Sequence, residues 1–267
     1  EDGLRDLMMG LVGSEMCIRD RKYLVRDLSS SEAHYSRLYP LVPTQAYDTY
    51  WLFACERQNI FYNKLARMVG ATTCDPVLAT YKFTNAYRAA DRVSQYLIRN
   101  VIYSGPQDAI NLFFRTLLFK VFNKISTWKL LEKKFETICY EDFSFKHYDK
   151  LLSDAMSSGE TIYSAAYIMP SGSSKFGHQR KHTNHLELLR LMIKDSVPAK
   201  IQDANKLQDV FEILCSYHSI GNFLAYQFAI DLNYSNLIDF SENEFVVPGP
   251  GALNGIAKCF KSLGGMT

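Results

Sequence analysis

The chain has 267 residues, 47% of them hydrophobic and 22% charged, with a net charge of +2. That balance belongs to a globular domain with a sizeable core, and it excludes a global basic field, so any nucleic-acid contact must come from a local patch. No stretch approaches the roughly 20 consecutive apolar residues that a membrane-spanning helix requires.

The first stretch in chain order is expected to be foreign, with an ordinary polar amphipathic lead-in as the alternative. LVGSEMCIRDR, residues 11–21, reads back into DNA as the adapter and transposase end used in sequencing-library preparation. Residues 1–21 are therefore set apart from the functional reading, and the authentic protein is expected to begin near Lys22. The remainder, 22–267, is expected to form a single helical domain, cut short at its C-terminus.

From there the periodicity is helical almost throughout. In 46–69, apolar residues recur at three- and four-residue steps (Tyr50, Phe53, Ala54, Ile60, Leu65), which predicts a helix. The segment 84–103 carries Ala86, Ala90, Val93, Leu97 and Val101 as an inward stripe. Asp108 can cap AINLFFRTLLFKVFN, and the lack of a polar face there predicts a central, buried helix. Further helices are predicted at 126–138, 145–157, 184–194, 206–216 and 218–232, with Gly/Pro punctuation at 104–106, 170–177 and 248–251. Alternating strand patterns are nearly absent, so the fold class is all-α, as one compact unit.

Outside residues 1–21, Cys55, Cys74, Cys139, Cys215 and Cys259 are scattered, without CxxC spacing. Neither a zinc site nor a disulfide framework is predicted, and a reducing, intracellular compartment is: nuclear in a eukaryote, otherwise cytoplasmic. No cofactor is assigned.

Near the C-terminus, Phe245, Val246 and Val247 lead into Pro248-Gly249-Pro250-Gly251 and then an apolar helical pattern with Ile256, Ala257 and Phe260. This is the pattern of a helix-hairpin-helix. Gly249 and Gly251 would allow a tight turn with positive φ, leaving backbone N–H groups free to hold a DNA phosphate. A plain loop and cap is the alternative.

Six blocks in order then carry a resemblance: YWLFACERQNIF (50–61), TYKFTNAYRAADRVSQYLIRNVIY (80–103), LFKVFNKISTW (118–128), AAYIMP with KHTNHL (165–170, 181–186), GNFLAYQFAIDLNYS (221–235) and VVPGPGALNGIAKCF (246–260). Together they resemble the alpha-glutamyl/putrescinyl thymine pyrophosphorylase family, also described as the helical domain associated with 5-hydroxymethyl-deoxyuridine DNA kinases. The resemblance implies a fold like that of the helix-hairpin-helix DNA glycosylases. It also implies chemistry on a modified thymine or uracil in DNA, with an amine or amino acid as donor. The glycosylases carry a catalytic Asp after the hairpin, whereas this chain ends at Thr267 and its Asp231 precedes the hairpin.

Four groups of candidate residues follow. Arg88, Arg92, Gln95 and Arg99 share one face of the predicted 84–103 helix, where Arg88 and Arg92 could grip phosphates; the alternative is a solvated face with Asp91 as counter-charge. Gln227 and Asp231 continue the apolar stripe of Ile220, Phe223 and Leu224. Asp231 could act as general base or hold an amine, and Gln227 could read a base edge; an internal salt bridge to an arginine of 84–103 is the alternative. The loop 171–182 offers Lys175, Lys181 and His182 to a DNA backbone or a pyrophosphate, with Lys181 and His182 as the catalytic pair; a solvated basic loop is the alternative. Gly249 and Gly251 complete the set as DNA contacts, and no residue is assigned to a metal. A true glycosylase and a non-catalytic DNA-binding module are the rival functions.

Overall fold

The computed structural model describes residues 41–67 and 73–262. The readings placed on residues 1–21 and on the C-terminal end lie outside them.

The described chain is all-α. It runs β1 (Val42–Pro43), α1 (Gln45–Leu65), α2 (Pro76–Thr80), a 3₁₀ turn (Arg88–Ala90), α3 (Arg92–Tyr96), a π-helical turn (Leu97–Ile102) and α4 (Ala109–Phe122). It continues through α5 (Ile125–Phe135), α6 (Phe145–Ser157), α7 (Ser173–Phe176), α8 (Lys181–Lys194), α9 (Val197–Gln202), α10 (Leu207–Cys215), α11 (Asn222–Asn233), α12 (Pro250–Cys259) and β2 (Phe260–Ser262). Residues 57–249 make one compact unit; the described residues before and after them belong to a second. In the second unit β1 and β2 pair antiparallel, Val42 opposite Ser262 and Pro43 opposite Phe260. Thr44 Oγ1 donates to the Lys258 carbonyl at 2.6 Å, and the Tyr47 and Phe260 rings meet at 5.4 Å.

The core lies wholly in the first unit, between Leu97 and Ile238. Its axis is α4, in which every residue from Asn111 to Phe122 is buried, as the absence of a polar face predicts. Asp108 caps it by accepting from the Asn111 N–H at 3.1 Å. Asn123 ends it in the left-handed region (φ 49°), a conformation asparagine tolerates better than most residues.

The 84–103 segment departs from the expected single helix. Asp91 is extended (φ −68°, ψ 144°) and breaks the chain between the 3₁₀ turn and α3. Polar side chains take the backbone groups that a continuous helix would use. Asp91 Oδ1 accepts from Asn85 N–H at 3.1 Å, Asn85 Nδ2 donates to Ala90 O at 2.6 Å, and Gln95 Nε2 donates to Ala89 O at 2.6 Å. Such local bonds compete with the helix ladder and here prevail. Arg115, buried within α4, donates to Val101 O and Ile102 O at 2.9 and 3.0 Å and so satisfies the end of the π turn.

The loop 171–182 is also more regular than expected. Residues 173–176 form α7, and α8 already begins at Lys181. Asn184 fixes the connection, accepting from His178 N–H and donating to His178 O at 3.1 and 2.9 Å.

Candidate functional site

Three elements of the core unit converge on one carboxylate. Asp231 sits in the third turn of α11, fully buried. Arg88 reaches it from the 3₁₀ turn, with Nη2 2.6 Å from Oδ1 and 3.1 Å from the Gln227 carbonyl. Lys120, from the last turn of α4, places Nζ 3.2 Å from Oδ2 and 2.9 Å from Asn123 Oδ1. A buried carboxylate without partners would be prohibitively costly; here two cations share it.

With both cations charged, Arg88, Lys120 and Asp231 together carry one net positive charge, and the Glu242 carboxylate also acts on Arg88. Burial lowers the Lys120 pKa and the neighbouring Arg88 charge adds to this, while Asp231 opposes it. For Arg88, burial also disfavours the charge, but attraction to Asp231 outweighs it and the pKa is raised. Partial desolvation raises Glu242, which Arg88 opposes and Asp231 reinforces.

Tyr167 closes the cluster. Its ring centroid lies 4.6 Å from Lys120 Nζ and 5.6 Å from the Arg88 guanidinium carbon, within cation–π range. Its backbone is left-handed (φ 57°), which costs a bulky residue roughly 1–3 kcal/mol and marks a position that its surroundings enforce. On the outer side, the Phe223 ring stacks nearly parallel to it, with centroids 6.0 Å apart and an interplanar angle of 13°.

The predicted residues fall into two sets. Arg88 and Asp231 come together in the internal salt bridge given above as the alternative for Asp231, rather than on a solvated face, and Gln227 joins through its backbone carbonyl. Arg92 is exposed, and the break at Asp91 removes it from any face shared with Arg88. Lys175 is exposed on α7, beside a surface groove lined by Asp195, Tyr217 and His218. Lys181 places Nζ 4.5 Å from the Tyr163 ring centroid. His182 is not on a flexible loop but fully buried in the first turn of α8, where Nε2 lies 3.0 Å from Ser153 Oγ and 3.2 Å from Asp149 Oδ1 of α6. Burial lowers its pKa against the pull of Asp149. Its neighbour His185 is also buried, between the Tyr163 hydroxyl (2.9 Å from Nδ1) and the Pro170 carbonyl (2.8 Å from Nε2). The carbonyl can only accept, so the proton is on Nε2 and the Tyr163 hydroxyl donates to Nδ1.

The glycines of the turn depart from expectation in their backbone. Neither Gly249 nor Gly251 has a positive φ, and Gly251 lies within α12. At Gly249 the requirement is space: a Cβ there would stand 3.2 Å from Phe223 Cε2.

Lys120, Asn123 and Tyr167 were not among the predicted site residues. A signal for Lys120 was present, since a lysine inside a helix with no polar face must find a buried partner. Tyr167 carried none, because a loop tyrosine has no periodicity to betray its direction. Among the described residues no three His, Cys, Asp or Glu side chains converge as metal ligands, and no helix is long and apolar enough to cross a membrane.

Comparison with known proteins places this geometry in context. A family model described as "5-hmdU DNA kinase, helical domain" matches residues 44–267. The 5-hmdU DNA kinase of Bacillus phage SP10 is 26% identical over 239 residues, covering 83% of this chain and 37% of that protein. The chain thus spans well under half the length of this curated relative. No solved structure matches.

Proposed function

The chain belongs to the family of 5-hmdU DNA kinase helical domains, and from that premise we propose that it is the DNA-binding helical domain of a thymine-hypermodifying enzyme. Its reaction is the replacement of pyrophosphate on an activated 5-hydroxymethyluracil by an amine or amino acid. The carbon–oxygen bond to pyrophosphate breaks, a carbon–nitrogen bond forms at the 5-methylene, and the amine gives up a proton. The base must leave the duplex stack to reach a buried carboxylate.

One observation carries this reading: the buried Asp231 holding Arg88 and Lys120, the three together carrying one net positive charge. Cations fixed before the reaction stabilise a leaving group that becomes more negative, without reorganisation at the moment of departure. Asp231 keeps both in place, and as the one carboxylate among the three groups it is the one that can take up the proton of the incoming amine while both cations stay charged. The segment around Gly249 and Gly251 is assigned to the DNA backbone, as in a glycosylase-like hairpin; the N–H groups for such a contact come from the two glycines, since Pro248 and Pro250 have none.

The test is nucleoside mass spectrometry after incubating the full chain with DNA bearing pyrophosphorylated 5-hydroxymethyluracil and an amine donor. A new amine adduct is expected, reduced about 100-fold in Lys120→Met, the scale for losing one group that stabilises the departing charge. A lost base would instead indicate a glycosylase. Unchanged nucleosides in the presence of DNA binding would indicate a non-catalytic module.

A further inference from the structure

Phe223 is one of several large apolar side chains of the core unit that are exposed. It stands on the second residue of α11, a helix whose inner face is buried core, yet is itself 42% exposed. One contact of its ring is the near-parallel stack on Tyr167. Another is the ring edge over Gly249, where the missing Cβ leaves the room it occupies. The ring is therefore held in orientation while part of its surface faces solvent. Tyr167, beneath it, lies against the Lys120 and Arg88 cations.

This juxtaposition is a flat, oriented, partly solvent-facing π surface joined through one ring to the cluster in which Arg88 and Lys120 pair with Asp231. Solvent gains nothing from an exposed phenyl ring, and a planar aromatic ligand covers one well. A nucleobase stacks on such a surface whatever its pairing edge, and the adjacent cations suit an anionic substituent on that base. We infer that Phe223, backed by Tyr167, is the stacking platform for a nucleobase everted from DNA, positioning its 5-substituent toward Arg88, the partly exposed cation of the cluster. This rests on the functional reading above and adds to it the residue that receives the base.

Eversion can be read directly with a duplex carrying 5-hydroxymethyluracil next to 2-aminopurine, whose fluorescence rises when its stacking neighbour leaves. The full chain is expected to bind this duplex with a fluorescence rise. Phe223→Leu should keep the helical circular dichroism and thermal midpoint, lose the rise, and bind about 5- to 150-fold more weakly, the range for losing one base–aromatic stack. Phe223→Tyr should restore both signals. The platform is overturned if Phe223→Leu matches the parent, if Phe223→Tyr fails as badly as Phe223→Leu, or if the parent binds without a fluorescence rise. Absence of any binding by the parent overturns the functional reading and the platform with it.

Discussion

His185 has its protonation dictated by its two neighbours, the Pro170 carbonyl and the Tyr163 hydroxyl. Burial is the main cause that lowers its pKa, to about 4, helped by the charges at Lys181 and His182, with the Pro170 contact opposing. The unfolded chain binds this proton near pH 6.5 and the folded chain does not until about pH 4, so the contribution is complete above pH 6.5 and is lost as pH falls towards 4. The effect is on the order of 3 kcal/mol. His185→Gln, which can still donate and accept, should flatten the urea midpoint between pH 7 and pH 5 relative to the parent. Equal slopes in the two proteins would remove His185 as the cause. At the same scale, Asp231 was legible in the sequence as a carboxylate on an apolar stripe, and Lys120 as a cation in an apolar helix. Neither pattern says that the two residues meet.

Among the elements, the Asp231 cluster is a cross-link between the 3₁₀ turn, α4 and α11. Removing one partner of a buried ionic group leaves the others uncompensated, which costs about 3–5 kcal/mol. Asp231→Asn should lower the unfolding free energy by that amount in urea titrations. Combining it with Lys120→Met, which removes the buried stranded charge, should recover more than half of the loss. Additive losses in the double variant would mean the two residues are not coupled. The helices themselves were largely legible: α1, α4, α6, α10 and the body of α11 lie where periodicity and the Asp108 cap place them. The 84–103 segment was not. Its apolar spacing is helical, but Asn85, Asp91 and Gln95 bond to nearby backbone groups, and that competition depends on exact geometry rather than on spacing.

For the molecule as a whole, the distribution of core is uneven. Every member of the hydrophobic cluster lies within residues 57–249, while α1 and α12 contain no buried residue among those described. Resistance to local opening follows buried apolar contact. Limited proteolysis of the native full chain should therefore leave a fragment close to 57–249 as the longest-lived product, identified by its mass. Early cleavage inside α4 or α11 would contradict this.

The all-α class, the central buried helix and the family resemblance were determined by the sequence alone. Helical periodicity and the burial of an all-apolar segment are local consequences of side-chain chemistry. The partnership of Arg88 with Lys120 across Asp231, the strained Tyr167 and the exposed Phe223 were decided only by the tertiary structure. A charge 143 residues away from its partner leaves no spacing signal, and a buried charge takes whichever opposite charge the packing of the helices brings within reach.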